Sequence, residues 1–467
     1  MGQESPGIQA WVEDKTKKVS IEARHASRFS LWVRFLAKGS HRDGSEFSRL
    51  FLTVQGEEFE FGRCRLVTEP NIEGYAGRLV LLDEFHDFES LLFKRRVDRL
   101  QSPFMNLPLL LDHKRQITPE FRDYTANLTY DLNVYKSLFD AIDAKLEGEP
   151  KSVRAIIEKG VLATEGEQFT EFMRDRHAEL DRIVEGLSGE DHERHGFYLR
   201  RQLWSIIMCS PFMARTNLKP RGYAGDSEMM TMIYKNEYSG DSTFAKVLNR
   251  YPLGEPAAQA VRNRRGIVAG ALRGFRAQVP EAERARPFRV LSVACGPAWE
   301  MADIVRSAAD ARNIHFTMFD QDQYALMEVA SRVTEIERRL DVVLSIDYLR
   351  ESVRTLLVTR ELENKWGRYN FIYSMGLFDY LTPPVARAVL GKLYRLLEPG
   401  GRMVIGNFHS SNPGRRFMAY WLDWVIYYRT EEDFTALAQE LPGAATRIEF
   451  DDTRVQMLLH VDKPGRG

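Results

Sequence analysis

The sequence predicts a multidomain α/β protein, and three observations support this class. The chain has 467 residues, more than one hydrophobic core usually holds, which favours about three domains. Short alternating apolar stretches fill the first part, and three- and four-residue apolar spacing fills the middle. In the last part, short apolar strands alternate with helical segments. We therefore expect a small β-barrel, a helical region and an open α/β sheet, in that order.

The composition is that of an ordinary globular protein and argues against several classes of function. Lys and Arg number 65 against 66 Asp and Glu, so the net charge of −1 gives no excess of positive charge to bind nucleic acid or an anionic membrane. The three cysteines argue against a disulfide scaffold and favour a cytoplasmic location. No apolar run reaches the ~18 residues of a membrane helix and no signal peptide is visible, so we expect no integral membrane segment.

The first predicted domain, residues 1–98, carries a β-type pattern. Phe29, Leu31, Val33 and Phe35 recur at every second position. Further short apolar stretches follow at ~10-residue spacing, separated by turns that contain glycine or asparagine. This pattern predicts a small β-barrel or a β-sandwich.

Residues 99–285 form the second predicted domain, which is mainly helical. Thr118 precedes a proline, a combination typical of a helix start, and apolar residues follow at helical spacing. Three histidines of this region, His177, His192 and His195, lack the cysteine or carboxylate spacing of a metal site. We expect them at the surface and expect no metal.

Within this region, residues 215–226 are rich in glycine and charge and do not suit a regular helix. They supply positive charge at Arg221 and a phenol at Tyr223. Two interpretations stay open: a structural loop held by ion pairs, or a lid that closes over a cofactor or substrate.

The last predicted domain, residues 286–467, begins with a strand, a turn of small residues from Ala294 to Ala298, and a helix. Such a turn presents backbone N–H groups and a helix N-terminus to a ligand above the carboxyl end of the strand. Small side chains at this turn allow the ligand to approach the main chain.

Polar groups follow the next strands of this domain. The second strand ends at Asp320 and is followed by Gln321. The third strand is expected over residues 341–346, with Asp347 and Tyr348 at its end. A fourth strand follows, and an L-E-P-G-G turn precedes the fifth. Residues 417–430 are expected to form an aromatic helix that mostly packs in the core against the helical region, with one stripe able to line an acyl or aromatic pocket.

With these motifs in that order, residues 286–410 resemble the class I S-adenosylmethionine-dependent methyltransferases. The resemblance implies a Rossmann-like sheet and S-adenosyl-L-methionine as the cofactor, with Asp320 on the ribose hydroxyls and Asp347 and Tyr348 beside the adenine. One departure is Ser292, which stands where the family has an acid facing the methionine amino group. The residues expected to bind the cofactor are Ser292, Ala294, Cys295, Gly296, Pro297, Asp320, Gln321, Asp347, Tyr348, Ser374 and Met375.

A narrower resemblance covers residues 100–460. The K-P-R-G-Y-A-G-D loop, the S-V-A-C-G-P-A turn and the N-F-H-x-x-N-P loop with W-x-x-x-Y-R-T are similar to the bacterial family of extracellular-factor 3-hydroxypalmitate methyl ester biosynthesis. It implies a small-molecule acid substrate, a fatty acid methylated to a quorum-type ester, with Arg221 or Arg429 orienting the carboxylate. The residues expected to act in the reaction are His409, Tyr223, Arg221, Tyr428 and Arg429.

The chemistry of the acceptor decides whether a base is needed. A carboxylate has a pKa of ~4 and is ionised at neutral pH, whereas a hydroxyl needs a base such as His409. A methyltransferase acting on a hydroxyl or amine therefore stays open. A non-catalytic, cofactor-binding regulator with the β-domain as sensor is a second alternative.

The β-domain also resembles PilZ domains, whose R-x-x-x-R arm binds cyclic di-GMP. Arg24 and Arg28 match this arm, whereas Ser48 stands where the later D/N-x-S-x-x-G turn has glycine. The resemblance implies cyclic di-GMP as a partner. A degenerate barrel with a solvated basic strand stays open as the alternative.

Overall fold

The structure is a computed structural model that describes residues 8–14, 17–26, 30–35, 44–54, 57–67, 76–82, 88, 114–280 and 286–465. Two sheets and a helical region make up these residues, which confirms the predicted α/β class. The arm expected at Arg24 and Arg28 lies outside the residues whose side chains are described. Within the described part of the chain, no helix is both long enough and apolar enough to cross a membrane.

The N-terminal sheet has eight antiparallel strands in the order β4-β7-β8-β3-β2-β1-β5-β6. They are β1 (Ile8–Asp14), β2 (Lys17–Ala26), β3 (Leu31–Phe35), β4 (Glu46–Phe47), β5 (Arg49–Val54), β6 (Glu57–Phe61), β7 (Cys64–Val67) and β8 (Ala76–Leu81). Alternate side chains such as Val12, Val33 and Leu52 form its core, which explains the period-two pattern. The strand order is open, so a closed barrel is not confirmed.

The helical region contains eight described helices. They are α1 (Pro119–Lys145), α2 (Lys151–Ile183), α3 (Gly189–Gln202), α4 (Trp204–Ile207), α5 (Pro211–Leu218), α6 (Ser227–Lys235), α7 (Thr243–Gly254) and α8 (Pro256–Gln278). The start of α1 is as predicted, because the Thr118 hydroxyl accepts a hydrogen bond from the Phe121 N–H. The core of this region includes Phe169 and Phe244 and continues onto Phe417 and Trp421 of the last domain. The two regions therefore share one hydrophobic core.

The expectation that the three histidines lie at the surface is wrong. His195 is buried, its Nε2 accepts from the Thr118 N–H at 3.2 Å, and its Nδ1 donates to the Asp191 carbonyl at 2.7 Å. Nδ1 of His177 lies 2.5 Å from the Tyr251 hydroxyl, and burial lowers the pKa of His177 to about 3. His192 is half-buried against Tyr420. The sequence did not indicate this burial, because the partners that cover the three rings include residues distant in sequence.

The C-terminal sheet has seven strands, with helices on both faces. The strands are β9 (Phe288–Val293), β10 (Ile314–Asp320), β11 (Ser345–Arg350), β12 (Tyr369–Ser374), β13 (Leu397–Phe408), β14 (Ala445–Phe450) and β15 (Gln456–Asp462). The helices are α9 (Met301–Ile304), α10 (Ala308–Ala311), α11 (Gln323–Leu340), α12 (Val353–Val358), α13 (Leu362–Trp366), α14 (Pro383–Leu396), α15 (Arg415–Trp421) and α16 (Glu431–Ala436), with a 3₁₀ turn at Phe378–Tyr380.

The strand order of this sheet, β11-β10-β9-β12-β13-β15-β14, places the ligand crevice. Strands β9 to β13 are parallel, and β15 runs antiparallel to both of its neighbours. Helices α8, α9 and α11 pack on one face, and α12, α13, α14 and α16 pack on the other. The order reverses between β9 and β12, where an open α/β sheet forms a crevice at the carboxyl ends of its strands.

Three expected boundaries are wrong. The third strand runs from Ser345 to Arg350, because Asp341 ends α11 in a left-handed conformation and the apolar residues after it form the connection. The expected aromatic helix ends at Trp421, and Asp423 turns the chain with a φ of 48°. The polar loop begins only at Lys219, because α5 continues to Leu218.

Candidate active site

A cavity of about 840 Å³ lies between the helical region and the carboxyl ends of the strands that flank the crevice. Small-molecule sites are typically ~300–1,000 Å³, so this volume suits a small ligand. Its sheet side includes Ala294, Gly296, Asp320, Gln321, Glu351, Met375 and Asp379. Phe408 lines it from the end of β13, and its other walls include Tyr223, Met230, Tyr251, Val261, Arg264, Phe417 and Trp424.

The turn after β9 holds an unusual backbone. Ala294, Gly296 and Ala298 all have positive φ, at 51°, 54° and 46°. Positive φ is unfavourable for alanine, and such residues cluster at functional sites. The Gly296 N–H donates to Asp320 Oδ2 at 2.9 Å, so the turn is attached to the next strand.

Asp320 occupies the position at the end of β10 that the sequence predicted. It is buried and lines the cavity, and its Oδ1 accepts from the Asp322 N–H at 2.9 Å. Burial raises the pKa of Asp320, although the backbone N–H donors oppose this change because they favour the carboxylate. A carboxylate has about four lone-pair sites, so Asp320 can accept further hydrogen bonds from a ligand.

The loop from Lys219 to Asp226 covers the cavity beside this turn. Arg221 Nη1 donates to Asp322 Oδ2 at 2.9 Å and to the Ser227 hydroxyl at 2.5 Å. At the end of the loop, Asp226 is buried and forms an ion pair with Arg215 at 2.8 Å. Ion pairs therefore attach this loop to the sheet domain and to α5.

Gly225 is the point where the loop meets the aromatic wall of the cavity. A Cβ atom added at Gly225 would lie 2.5 Å from the Tyr380 hydroxyl and 2.8 Å from Cζ2 of Trp424. The Trp424 indole N–H donates to the Tyr380 hydroxyl at 2.7 Å. The close approach of backbone to rings explains why a glycine stands here.

Asp379 is a buried carboxyl in the cavity that was not predicted from the sequence. Its Oδ1 accepts from the Phe408 N–H at 2.7 Å. Burial raises the pKa of Asp379 to about 6, although the Phe408 N–H, Arg264 and Arg429 oppose this shift. A carboxyl with such a pKa can take up or release a proton near neutral pH. The sequence contained one signal that could have pointed to Asp379, namely an acidic residue in the loop after the fourth strand.

Two further buried charges line the cavity without having been predicted. Arg264 of α8 donates from Nη1 to the Met375 carbonyl at 2.9 Å. Glu300, just before α9, accepts from the Tyr373 hydroxyl at 2.8 Å, and burial raises the pKa of its carboxyl. Both side chains come from segments that the sequence indicated only as helical.

The residues predicted to bind the cofactor or to act in the reaction fall into two groups, and the structure describes all of them. Those that line the cavity are Arg221, Tyr223, Ser292, Ala294, Cys295, Gly296, Pro297, Asp320, Gln321 and Met375. Those that do not line it are Asp347, Tyr348, Ser374, His409, Tyr428 and Arg429. The second group includes every residue expected from the third strand and from the loop after the fifth.

Strand register explains why Asp347 and Tyr348 do not reach the cavity. Asp347 lies in the middle of the edge strand β11 and pairs with Thr317, whereas Arg350 stands level with Asp320 at the strand end. The carboxylate of Asp347 lies 3.2 Å from His315 Nε2. The residues that follow β11 into the cavity are those from Glu351 to Arg354.

The other residues outside the cavity have partners within the protein. The Ser374 hydroxyl donates to the Val293 carbonyl at 2.9 Å, and Tyr428 lies against Met418. Nδ1 of His409 lies 2.6 Å from the Ser411 hydroxyl.

Arg429 is 3% exposed and donates to two backbone carbonyls, those of Phe378 at 2.8 Å and Leu381 at 2.6 Å. It also donates to the side-chain oxygen of Asn407. Its guanidinium therefore holds the loop after β12 in place.

Within the described residues, no group of three or more His, Cys, Asp or Glu side chains is arranged to hold a metal ion.

Comparisons with known proteins give likeness in structure only. No protein-family model matches the chain, and no curated protein sequence matches it. A possible exported protein from Bordetella parapertussis is similar with a TM-score of 0.41 and 20% identity, over 68% of this chain and 100% of that one. An O-methyltransferase family protein from Burkholderia thailandensis has a TM-score of 0.37 and 14% identity, over 78% and 99%.

The magnesium protoporphyrin IX methyltransferase of Synechocystis PCC 6803, a structure with bound SAM, is also similar. Its TM-score is 0.31 at 13% identity, over 44% of this chain and 83% of that one. All of these TM-scores are low, so the proposal that follows depends on the strand order and cavity residues of this chain.

Proposed function

We propose that this chain is an S-adenosylmethionine-dependent methyltransferase. The observation that carries the proposal is the pairing of Gly296 with Asp320 at the mouth of the crevice. A small-residue turn after the first strand and an acid after the second are the features that hold the ribose of a nucleoside ligand in open α/β sheets. The antiparallel β15 at the end of the parallel strands supports the same proposal.

The residues around the crevice suit this cofactor. Asp320 would accept hydrogen bonds from the ribose hydroxyls, and the turn at Gly296 would allow the nucleoside to approach the main chain. Glu351 and Ser352 line the cavity after β11, and in this proposal they lie beside the adenine, where Asp347 and Tyr348 were expected. The cofactor supplies a methyl group already activated by its sulfonium charge, so the protein mainly aligns the acceptor and excludes water.

We infer that the acceptor is a carboxylate on an apolar small molecule. The walls away from the β9 turn are largely apolar and aromatic, including Phe408 at the end of β13, Phe417 and Trp424. Burial raises the pKa of Tyr223, so its phenol stays neutral and can donate a hydrogen bond to a carboxylate oxygen. Arg221 acts indirectly in this account, because its guanidinium is bound to Asp322 and positions the loop.

A hydroxyl acceptor is the second candidate, and Asp379 is the observation that favours it. A hydroxyl must lose a proton on methylation, and a carboxyl with a pKa of about 6 at the cavity wall can accept it. The Asp379→Asn variant separates the candidates. Carboxylate methylation should survive this change, whereas hydroxyl methylation should fall about 100-fold or more.

Incubation with isotopically labelled S-adenosylmethionine and a panel of fatty acids and hydroxy acids tests the proposal, with mass spectrometry of the products. A labelled methyl ester supports a carboxylate acceptor, and a labelled ether supports a hydroxyl acceptor. Binding of the cofactor without transfer to any acceptor would favour the non-catalytic regulator. Absence of cofactor binding would overturn the proposal.

We propose the same division into domains, at residues 1–98, 99–285 and 286–467, with the middle domain closing over the cavity. The N-terminal domain is proposed as a sensor domain with cyclic di-GMP as its ligand. Titration of the full chain with cyclic di-GMP tests this role, and absence of binding would leave the domain with a structural role only.

A further inference from the structure

Two residues of opposite charge at the cavity wall, Arg264 and Glu300, are buried, which is unusual for ionic side chains. Each is 7% exposed, and both line the cavity on the side of the β9 turn and the loop after β12. The guanidinium of Arg264 lies close to Gly376, with nitrogens 3.8 and 3.9 Å from the position of an added Cβ. A charge removed from water is costly unless it is paired. Burial raises the pKa of the Glu300 carboxyl although the attraction of Arg264 opposes this rise, so part of the cost remains.

The hydrogen bonds within the protein satisfy these charges only in part. Arg264 has a backbone carbonyl on Nη1 and the sulfur of Met230 on Nη2 at 3.4 Å, and it also donates to the Tyr234 phenol, while its buried Nε has no partner. Sulfur is a weak acceptor. The Glu300 carboxyl accepts hydrogen bonds from the phenol of Tyr373, on Oε1, and from its own backbone N–H. The carboxylate and the guanidinium thus both retain hydrogen-bonding capacity at the cavity wall.

A ligand that carries an anionic and a cationic group side by side would complete both sets of contacts. The amino-acid end of S-adenosylmethionine is such a zwitterion, with a carboxylate and an ammonium group on one carbon. We propose, on the basis of the function proposed above, that Arg264 binds the carboxylate of this end and Glu300 binds its ammonium group. Arg264 lies on α8, so the helical region contributes directly to cofactor binding.

This assignment also accounts for Ser292. Ser292 of β9 lines the cavity without a charge and is neighboured across the sheet by Tyr373. Tyr373 donates to Glu300, which places a carboxylate next to that strand from the following segment. The negative charge is therefore supplied eight residues later in the chain.

Three ligands separate the two contacts in calorimetric titrations of the full chain. S-adenosylhomocysteine carries both groups of the zwitterion, decarboxylated S-adenosylmethionine retains the ammonium group, and 5′-methylthioadenosine carries neither. Arg264→Gln should weaken S-adenosylhomocysteine about 10- to 100-fold and leave the other two ligands unchanged, since hydrogen bonds to charged groups are lost only for the first. Glu300→Gln should weaken the first two ligands and leave 5′-methylthioadenosine unchanged.

Arg273→Gln is the matched control, because Arg273 lies on the same helix and donates to the Asp303 carbonyl away from the cavity lining. It should bind all three ligands as the unaltered protein does. Equal weakening of S-adenosylhomocysteine and 5′-methylthioadenosine by Arg264→Gln would overturn the inference, because it would indicate a structural role. If the unaltered protein binds neither ligand, the proposed function itself fails. If the unaltered protein binds S-adenosylhomocysteine and 5′-methylthioadenosine equally, only the assignment of Arg264 and Glu300 fails.

Discussion

Arg221 donates from Nη1 to Asp322 Oδ2 at 2.9 Å, across 101 residues of sequence. This contact joins the loop over the cavity to the turn that follows β10. Both side chains are largely buried, at 18% and 9% exposed. A pair with so little access to solvent is screened less than a surface ion pair, so it can hold the loop closed.

Arg221→Gln should therefore loosen the loop. We expect bound S-adenosylhomocysteine to dissociate about tenfold faster, since a hydrogen bond between charged groups contributes ~1.5–3 kcal/mol. Stopped-flow measurement of dissociation checks this. Arg194→Gln removes a surface ion pair with Asp191 and is the control. An unchanged dissociation rate would contradict the role given to Arg221.

Gly225→Ala should displace the same loop from its aromatic support. The added methyl group would lie 2.5 Å from the Tyr380 hydroxyl, so either the loop or the ring must move. Displacement by ~1 Å can cost about 100-fold in rate, and we expect a loss of this size in kcat/KM. Gly274→Ala, where an added Cβ meets no atom within 4 Å, should keep its activity. Full activity of Gly225→Ala would refute the fit.

Sequence reasoning found the parts of the cavity that are local in the chain. The turn around Gly296 and the acid at Asp320 follow directly from strand ends, and they meet as expected. Asp347 was misplaced because the start of β11 depends on where α11 ends and on register with β10. An apolar run in a helix-to-strand connection looks the same as a strand in sequence.

Residues whose role depends on tertiary burial could not be predicted. Asp379 becomes a group with a raised pKa only because the folded chain buries its carboxyl. Arg264 reaches the cavity because α8 packs against the C-terminal sheet. Conversely, His409 had suitable chemistry and lies after the right strand, yet it does not line the cavity.

Substitution of Arg429 tests whether this residue contacts the substrate or stabilises the fold. Its guanidinium donates to two buried carbonyls and to Asn407, so Arg429→Gln should lower the free energy of unfolding by about 3 kcal/mol or more. Chemical denaturation measures this, and Arg454→Gln, with a 70% exposed side chain, should change it by less than about 0.5 kcal/mol. A raised KM with unchanged stability would instead indicate that Arg429 binds the acceptor.

The stability contribution of Asp379 should depend on pH. Its folded-state pKa of about 6 lies above the ~4 of an unfolded aspartate, so the folded state favours the protonated form. The stability it contributes is complete below pH ~4 and is lost as the pH rises through about 6. Asp379→Asn should therefore be more stable than the unaltered protein at pH 8, by up to about 3 kcal/mol. This advantage should shrink towards pH 4, and denaturation curves at both pH values check it; an equal difference at both would contradict the burial argument.

Calorimetric titration of S-adenosylhomocysteine into Asp320→Ala and Asp347→Ala tests the central claim most directly. The two aspartates lie on neighbouring strands, Asp320 at the end of β10 and Asp347 in the middle of β11, and only Asp320 lines the cavity. We expect Asp320→Ala to weaken binding about 10- to 100-fold, because hydrogen bonds to a carboxylate are lost, and Asp347→Ala to bind as the unaltered protein does. Equal binding by both variants and the unaltered protein would contradict a cofactor site at the Gly296–Asp320 pair.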